Sequence, residues 1–93
     1  MMTAQLFSLG QMVATHQAIE FLAQDGMTPL DLIKRHVSGD YGQLCPDDAQ
    51  MNEQAIENGD RILSVYHTSK GEKLYVITEW DRSATTVLMA SEY

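Results

Sequence analysis

The 93-residue chain has a single cysteine, Cys45. One thiol excludes an internal disulfide and a cysteine-only zinc site, and it suits a reducing compartment. Basic residues are scarce as well: six Lys and Arg stand against 13 Asp and Glu, for a formal net charge of −7. Phosphate neutralisation needs a basic surface, so this balance argues against direct nucleic-acid binding. No segment approaches the ~18 apolar residues of a membrane span, and the start, Met1 to Leu6, has neither the basic residues nor the apolar run of an export signal. The expected location is cytoplasmic, with no membrane association. The histidines are His16, His36 and His67, no two of them at metal-ligand spacing, and no metal or other cofactor is expected.

What is present fits one compact domain spanning residues 1–93. An apolar share of 44% and a charged share of 20% are near globular averages, and the length suffices to bury one core without a staple.

The order of local patterns predicts an α+β fold: a short N-terminal strand, three helices, then a three-stranded antiparallel meander, with the helices packed on one face of the sheet. Leu6 to Ala14 reads as the first strand, Gly10 weakening its middle or marking a bulge. Thr15 can cap the first helix, in which Ile19, Leu22 and Ala23 share a face, and Gly26 supplies a left-handed stop. Thr28-Pro29-Leu30-Asp31 opens the second helix, with a threonine cap, proline at the first helical position and aspartate where a reciprocal capping carboxylate belongs. Leu30, Ile33 and Val37 should face the core and Asp31, Lys34 and Arg35 the solvent. Gly39 and Gly42 bracket the turn that follows.

Cys45-Pro46-Asp47-Asp48 opens the third helix, its carboxylates placed where the helix dipole favours negative charge. From Asp47 to Asp60 there are five acids, Asp47, Asp48, Glu53, Glu57 and Asp60, and no base. The apolar stripe is thin (Ala49, Ala55, Ile56, with Met51 at its margin), so this helix should be the most exposed. Arg61 to His67, Lys73 to Trp80 and Ala84 to Ser91 alternate as half-buried strands, joined by a Ser69-Lys70-Gly71-Glu72 loop and an Asp81-Arg82-Ser83 turn.

Two clusters hold groups of catalytic type. His36 and Asp40 stand close in sequence, a carboxylate can orient an imidazole for acid–base work, and Cys45 at a helix start is a candidate nucleophile. The same residues describe a helix end whose histidine complements the dipole and whose aspartate ties the turn. Glu79, Asp81 and Arg82 with Thr85 and Thr86 form the second cluster. A turn held by Asp81, cross-strand threonine pairs and an Arg82 salt bridge explains it without chemistry. Trp80 beside Arg82 is either an interface anchor or a core residue packed on a helix.

The stretches Leu9 to Thr15, Arg35 to Gly42, Asn52-Glu53 and above all Ile77 to Thr86, with the terminal Glu92-Tyr93, resemble those of a group of small proteins encoded on bacterial plasmids and integrative mobile elements. His16 and Ala90 stand where the group has proline. The resemblance brings no established activity, substrate or catalytic residue. It implies a context, that of a bacterial cytoplasmic accessory protein travelling with mobile DNA.

Three readings follow from these residues. In the first, the chain is a non-catalytic binder that inhibits or modulates a host protein with a basic surface, such as a nucleic-acid-handling defence complex (an anti-CRISPR or anti-restriction role). Asp47, Asp48, Glu53, Glu57 and Asp60 would occupy a basic groove, anchored by Trp80 and Arg82. In the second, it is a small hydrolase or nucleotide-handling enzyme using His36 and Asp40, with Cys45, Glu79 or Asp81. In the third, it is a homodimer that pairs through a strand edge or helix face.

Overall fold

The computed structural model describes residues 5–93. Residues 1–4, part of the segment read for an export signal, lie outside the described residues. The chain runs β1 (Gln11–Ala14), α1 (His16–Gln24), α2 (Pro29–Val37), α3 (Pro46–Asn58), β2 (Ile62–His67), β3 (Lys73–Thr78) and β4 (Ala84–Met89), and ends in a 3-10 turn, Ala90–Glu92. The class is α+β, with three helices and a four-stranded sheet in the order β1-β4-β3-β2. The last three strands are antiparallel neighbours. β1, however, lies parallel to β4, so the sheet is mixed rather than a meander alone. No helix among the described residues is long and apolar enough to cross a membrane.

The helices begin where their caps stand. Thr15 Oγ1 accepts from the Ala18 N–H at 3.2 Å and donates to the Glu92 carboxylate at 2.7 Å, tying the start of α1 to the C-terminal turn. At α2 the Asp31 carboxylate accepts from the Thr28 N–H at 2.8 Å, the reciprocal bond expected of it. That bond and the Thr28 hydroxyl hold Asp31 below the usual carboxylate range.

Strand alternation sends Ile62, Tyr66, Leu74, Val76, Val87 and Met89 to one face, where all are buried. Ala18 and Leu22 of α1 and Leu32 and Ile33 of α2 close over them. Each fully buried Leu or Ile there is worth ~1.5–3 kcal/mol of apolar transfer. A second cluster, Phe7, Val37, Tyr41, Ala55 and Ile62, joins α3 to the β2 side of the sheet.

Several expected faces are corrected. Ile19 is 45% exposed and Ala23 is exposed, because α1 turns Ala18 and Leu22 inward. Leu30 is 46% exposed, since α2 uses the paired stripe Leu32, Ile33, His36 and Val37. Met51 is exposed and Asn52 takes the buried position on α3. Regular pairing of the first strand is confined to Gln11–Ala14. Gly10 is no bulge within it: at φ +63, a Cβ there would lie 2.3 Å from the Arg82 carbonyl oxygen, so it is a point of close backbone approach.

The two sheet edges are treated differently. At β2, the Asn52 carboxamide donates to the Leu63 carbonyl at 2.7 Å and accepts from the Leu63 N–H at 3.2 Å. Next to it the Val65 N–H donates to the Tyr41 carbonyl at 3.1 Å and the Gln43 N–H to the Val65 carbonyl at 2.7 Å. A side chain and a loop therefore stand where another strand would pair, which protects that edge. Among the described residues β1 has no such cover on its outer side.

Candidate functional site

His36 faces the sheet from the last turn of α2 and is fully buried. Its Nδ1 lies 2.6 Å from Ser64 Oγ and its Nε2 2.9 Å from Thr78 Oγ1. Thr78 Oγ1 is 2.7 Å from Thr85 Oγ1, which donates to the Leu9 carbonyl at 2.8 Å. The carbonyl end gives the chain its direction. Thr85 has used its proton on Leu9, so it accepts from Thr78. Thr78 therefore accepts from His36, whose proton sits on Nε2, and Ser64 donates to the bare Nδ1. One neutral tautomer satisfies every member. Phe7 and Tyr41 wall the ring at 5.1 and 6.4 Å between centroids. Burial pushes the His36 pKa down to about 4.

Asp40 belongs to a different place. Its carboxylate accepts from Arg35 Nε at 2.7 Å and Nη2 at 3.3 Å, and from the Gly42 N–H at 3.2 Å, all on the surface. These contacts hold it below the ordinary carboxylate range, the Arg35 bond foremost. Its carbonyl takes the Tyr66 hydroxyl at 2.6 Å, and Arg35 stacks 4.6 Å above the Tyr66 ring. Burial above all pushes the Tyr66 pKa up to about 12.

The other groups of catalytic type are also dispersed. Cys45 is exposed at the start of α3, its thiol 3.2 Å from an Asp48 carboxylate oxygen. Asp81 Oδ1 accepts from the Ser83 N–H at 3.0 Å, and the Ser83 contacts keep its pKa low. Glu79 supplies backbone to the same turn, its N–H donating to the Ala84 carbonyl at 3.0 Å. His36 and Asp40 thus take separate partners, and His36 is closed to solvent. Among the described residues no three His, Cys, Asp or Glu gather as a metal site.

The Asp81-Arg82-Ser83 turn is organised around Arg82, which adopts φ 60, the left-handed region that a non-glycine residue seldom enters. Its Nη1 donates to the carbonyls of Asp60, Glu79 and Trp80 at 2.7, 3.1 and 3.1 Å, and its Nη2 to that of Ala55 at 3.0 Å. The expected Arg82 salt bridge is replaced by backbone carbonyls, and the guanidinium lies 5.9 Å from the Phe7 ring centroid. The Ala55 carbonyl also accepts from the N–H groups of Gly59 and Asp60. Arg82 therefore clips the β3–β4 turn onto the last turn of α3, and the charge suits that negative end of the helix dipole.

That clip ties the backbone of Trp80, whose side chain is 65% exposed, to the C-terminal end of α3. Asp47, Asp48, Glu53, Glu57 and Asp60 are all exposed, but they do not form one stripe. Asp48 and Asp60 line a cleft of about 470 Å³ between α3 and β2, together with Leu44, Met51, Arg61 and Leu63. Glu53 stands on the other side, near Tyr41, where burial and then the Glu53 charge raise the phenol's pKa. Arg61 Nη1 donates to the Tyr93 hydroxyl at 2.6 Å, and Tyr93 stacks edge-on against Tyr75.

Sequence reasoning missed the roles of Asn52, Ser64 and Thr78. The inward positions of the last three strands carry Ser64, Thr78 and Thr85 among aliphatics, and such a polar row was the available sign of a buried network. Compared with models of known protein families, with curated proteins and with solved structures, the chain matches none. Its function therefore has to be argued from the surface just described.

Proposed function

We propose that the chain is a non-catalytic binding protein, an accessory of a bacterial mobile element, that docks the α3 end of the molecule on a basic protein surface in the cytoplasm. In this reading it inhibits or modulates a host nucleic-acid-handling defence complex of the CRISPR or restriction type. The observation that supports it is the Arg82 clamp. Four backbone carbonyls held by one guanidinium tie the turn that carries exposed Trp80 to the end of α3, and the stretch from Asp47 to Asp60 carries five acids and no base. An exposed aromatic on a turn that the same guanidinium ties to Asp60, a residue of the cleft that Asp48, Met51 and Leu63 also line, suits a basic partner better than bare charge does. Arg82 acts here as a positioning residue, because its donors are turned inward.

The enzymatic alternative has less behind it. Its base is sealed in the core, and its carboxylates are scattered over the surface.

The test is a host with an active restriction or CRISPR system, in which expression of the chain should raise the entry of targeted DNA. The tagged protein should copurify with the defence complex and block its DNA binding. Replacing Asp47, Asp48 and Glu53 by lysine should abolish both effects while circular dichroism and Tm stay as in the native chain. Undiminished binding by the triple variant sinks the acidic-surface reading, and DNA entry unaffected by the native chain sinks inhibition.

A further inference from the structure

The outer edge of β1 is the open edge of the sheet among the described residues. The Gln11 and Thr15 N–H groups donate inward, to the carbonyls of Ser83 and Val87, both at 3.0 Å. By alternation the N–H and C=O groups of Met12 and Ala14 point outward, away from β4. The usual blocks to edge pairing are missing: Gln11–Ala14 contains no charge, no proline and no bulge. Its flanks are apolar. Met12 is 55% exposed, Val13 42% and Leu30 46%, and a groove of about 220 Å³ is lined by Met12, Val13, Ala14, Pro29, Leu30 and Ile33.

We propose that this edge pairs antiparallel with β1 of a second copy, making one continuous eight-stranded sheet across a two-fold axis. A two-fold at Val13 sets Met12 opposite Ala14 of the second copy, so that each pair exchanges both N–H···O=C bonds. The two Val13 side chains meet across the axis, and Gln11 falls opposite Thr15. No like charges are opposed, and a strand pairs with itself in this way only when its sequence is compatible with its own reversal. Leu30 and Met12 of each copy are covered by the other.

Charge argues against a basic partner at this edge. The neighbouring wider groove, which shares Met12, Leu30 and Ile33, has a single charged lining residue, and it is cationic, Lys34. β1 itself is uncharged, so a second copy sets a neutral strand against a neutral strand. The acids of α3 sit at the opposite, β2 edge, with β4 and β3 between. Two strands at ~4.8 Å spacing in each copy already separate the acidic helices by more than a Debye length of about 8 Å.

Sedimentation equilibrium and light scattering of the full chain from low micromolar to near-millimolar concentration test this directly. Twice the chain mass is expected at the upper end. Met12→Pro removes an outward N–H and leaves every β1–β4 bond in place, and Leu30→Lys puts charge into the groove from an exposed helix position. Each should return the protein to the monomer mass with native circular dichroism. Amide exchange on the unmodified chain gives a reading independent of whether the variants fold: Met12 and Ala14 should gain at least tenfold protection as concentration rises. A monomer throughout, a dimer untouched by both variants, or a dimer whose Met12 and Ala14 amides stay unprotected overturns the proposal. So does a monomer whose β1 edge is taken by another protein.

Discussion

His36 makes the stability of this fold depend on pH in a window where carboxylates contribute little. Its ordinary pKa is 6.5, and burial lowers it to about 4 in the folded chain. The unfolded chain therefore binds a proton between those values that the folded chain refuses. Stability follows the difference in bound protons, so it rises with pH across the window. The full contribution is present above 6.5, falls progressively as pH drops toward 4, and changes no further below that. At ~1.4 kcal/mol per pH unit the interval amounts to ~3 kcal/mol. Against a total of ~5–15 kcal/mol for a small domain, that loss is large.

Two other effects overlap this window and must be separated. Protonating the surface relieves self-repulsion at −7, which acts in the opposite direction. Asp25, Asp31, Asp40 and Asp81 all have lowered pKa values, so their contributions are lost at more acid pH. His36→Gln isolates the histidine, because a carboxamide can still accept from Ser64 and donate to Thr78 but does not titrate. Urea unfolding of both proteins at half-unit steps should give curves that diverge from pH 6.5 downward, the native chain losing ~3 kcal/mol more by pH 4. Nitrogen-15 NMR of the ring should show the proton on Nε2 and no titration near 6.5. Parallel stability curves, or an Nδ1–H tautomer, would refute the reasoning.

Three further outcomes follow from single contacts. Asn52→Leu leaves the Leu63 N–H and C=O unpaired at the β2 edge and should cost ~1–3 kcal/mol in urea unfolding, with new concentration-dependent aggregation. Gly42→Ala drives a Cβ to 2.0 Å from the Val65 carbonyl, so its Tm should fall well below that of Gly26→Ala, where φ is also positive but no atom lies within 4 Å. Arg82→Lys cannot reach the carbonyls of Ala55, Asp60, Glu79 and Trp80 together and should cost ~2 kcal/mol. The lone tryptophan reports the freed turn through lower fluorescence anisotropy and faster proteolysis.

What could be read along the chain was whatever has a local cause. Thr15, Thr28-Pro29 and Cys45-Pro46 mark their helix starts because capping and the fixed proline φ act within one turn. The last three strands show their alternation within six residues each. Contacts across the fold left weaker traces. His36 next to Asp40 reads locally as a dyad, while its real partners Ser64 and Thr78 lie 28 and 42 residues away. Arg82 was paired in expectation with a carboxylate. It took the Ala55 carbonyl 27 residues back instead, and a carbonyl belongs to every residue and so leaves no sign in a sequence. Ile19 and Leu30 read as inward in the sequence because each helix offers two overlapping apolar stripes, and the sheet decides between them.

The two proposed surfaces place a constraint on each other. Pairing at β1 leaves α3 of both copies free, because α3 packs at the β2 end of the sheet order β1-β4-β3-β2. A dimer would then carry two docking ends facing apart, too far for both to enter one groove but placed to bridge two partner molecules. Linked sites gain avidity only where both can engage. On a surface bearing partner at high density, the native chain should dissociate more slowly than Met12→Pro, while in solution against monomeric partner the two should bind with equal affinity per chain. Equal dissociation from the dense surface would mean that the docking ends do not act together. A solution affinity weakened by Met12→Pro would mean that the β1 edge, and not α3, contacts the partner.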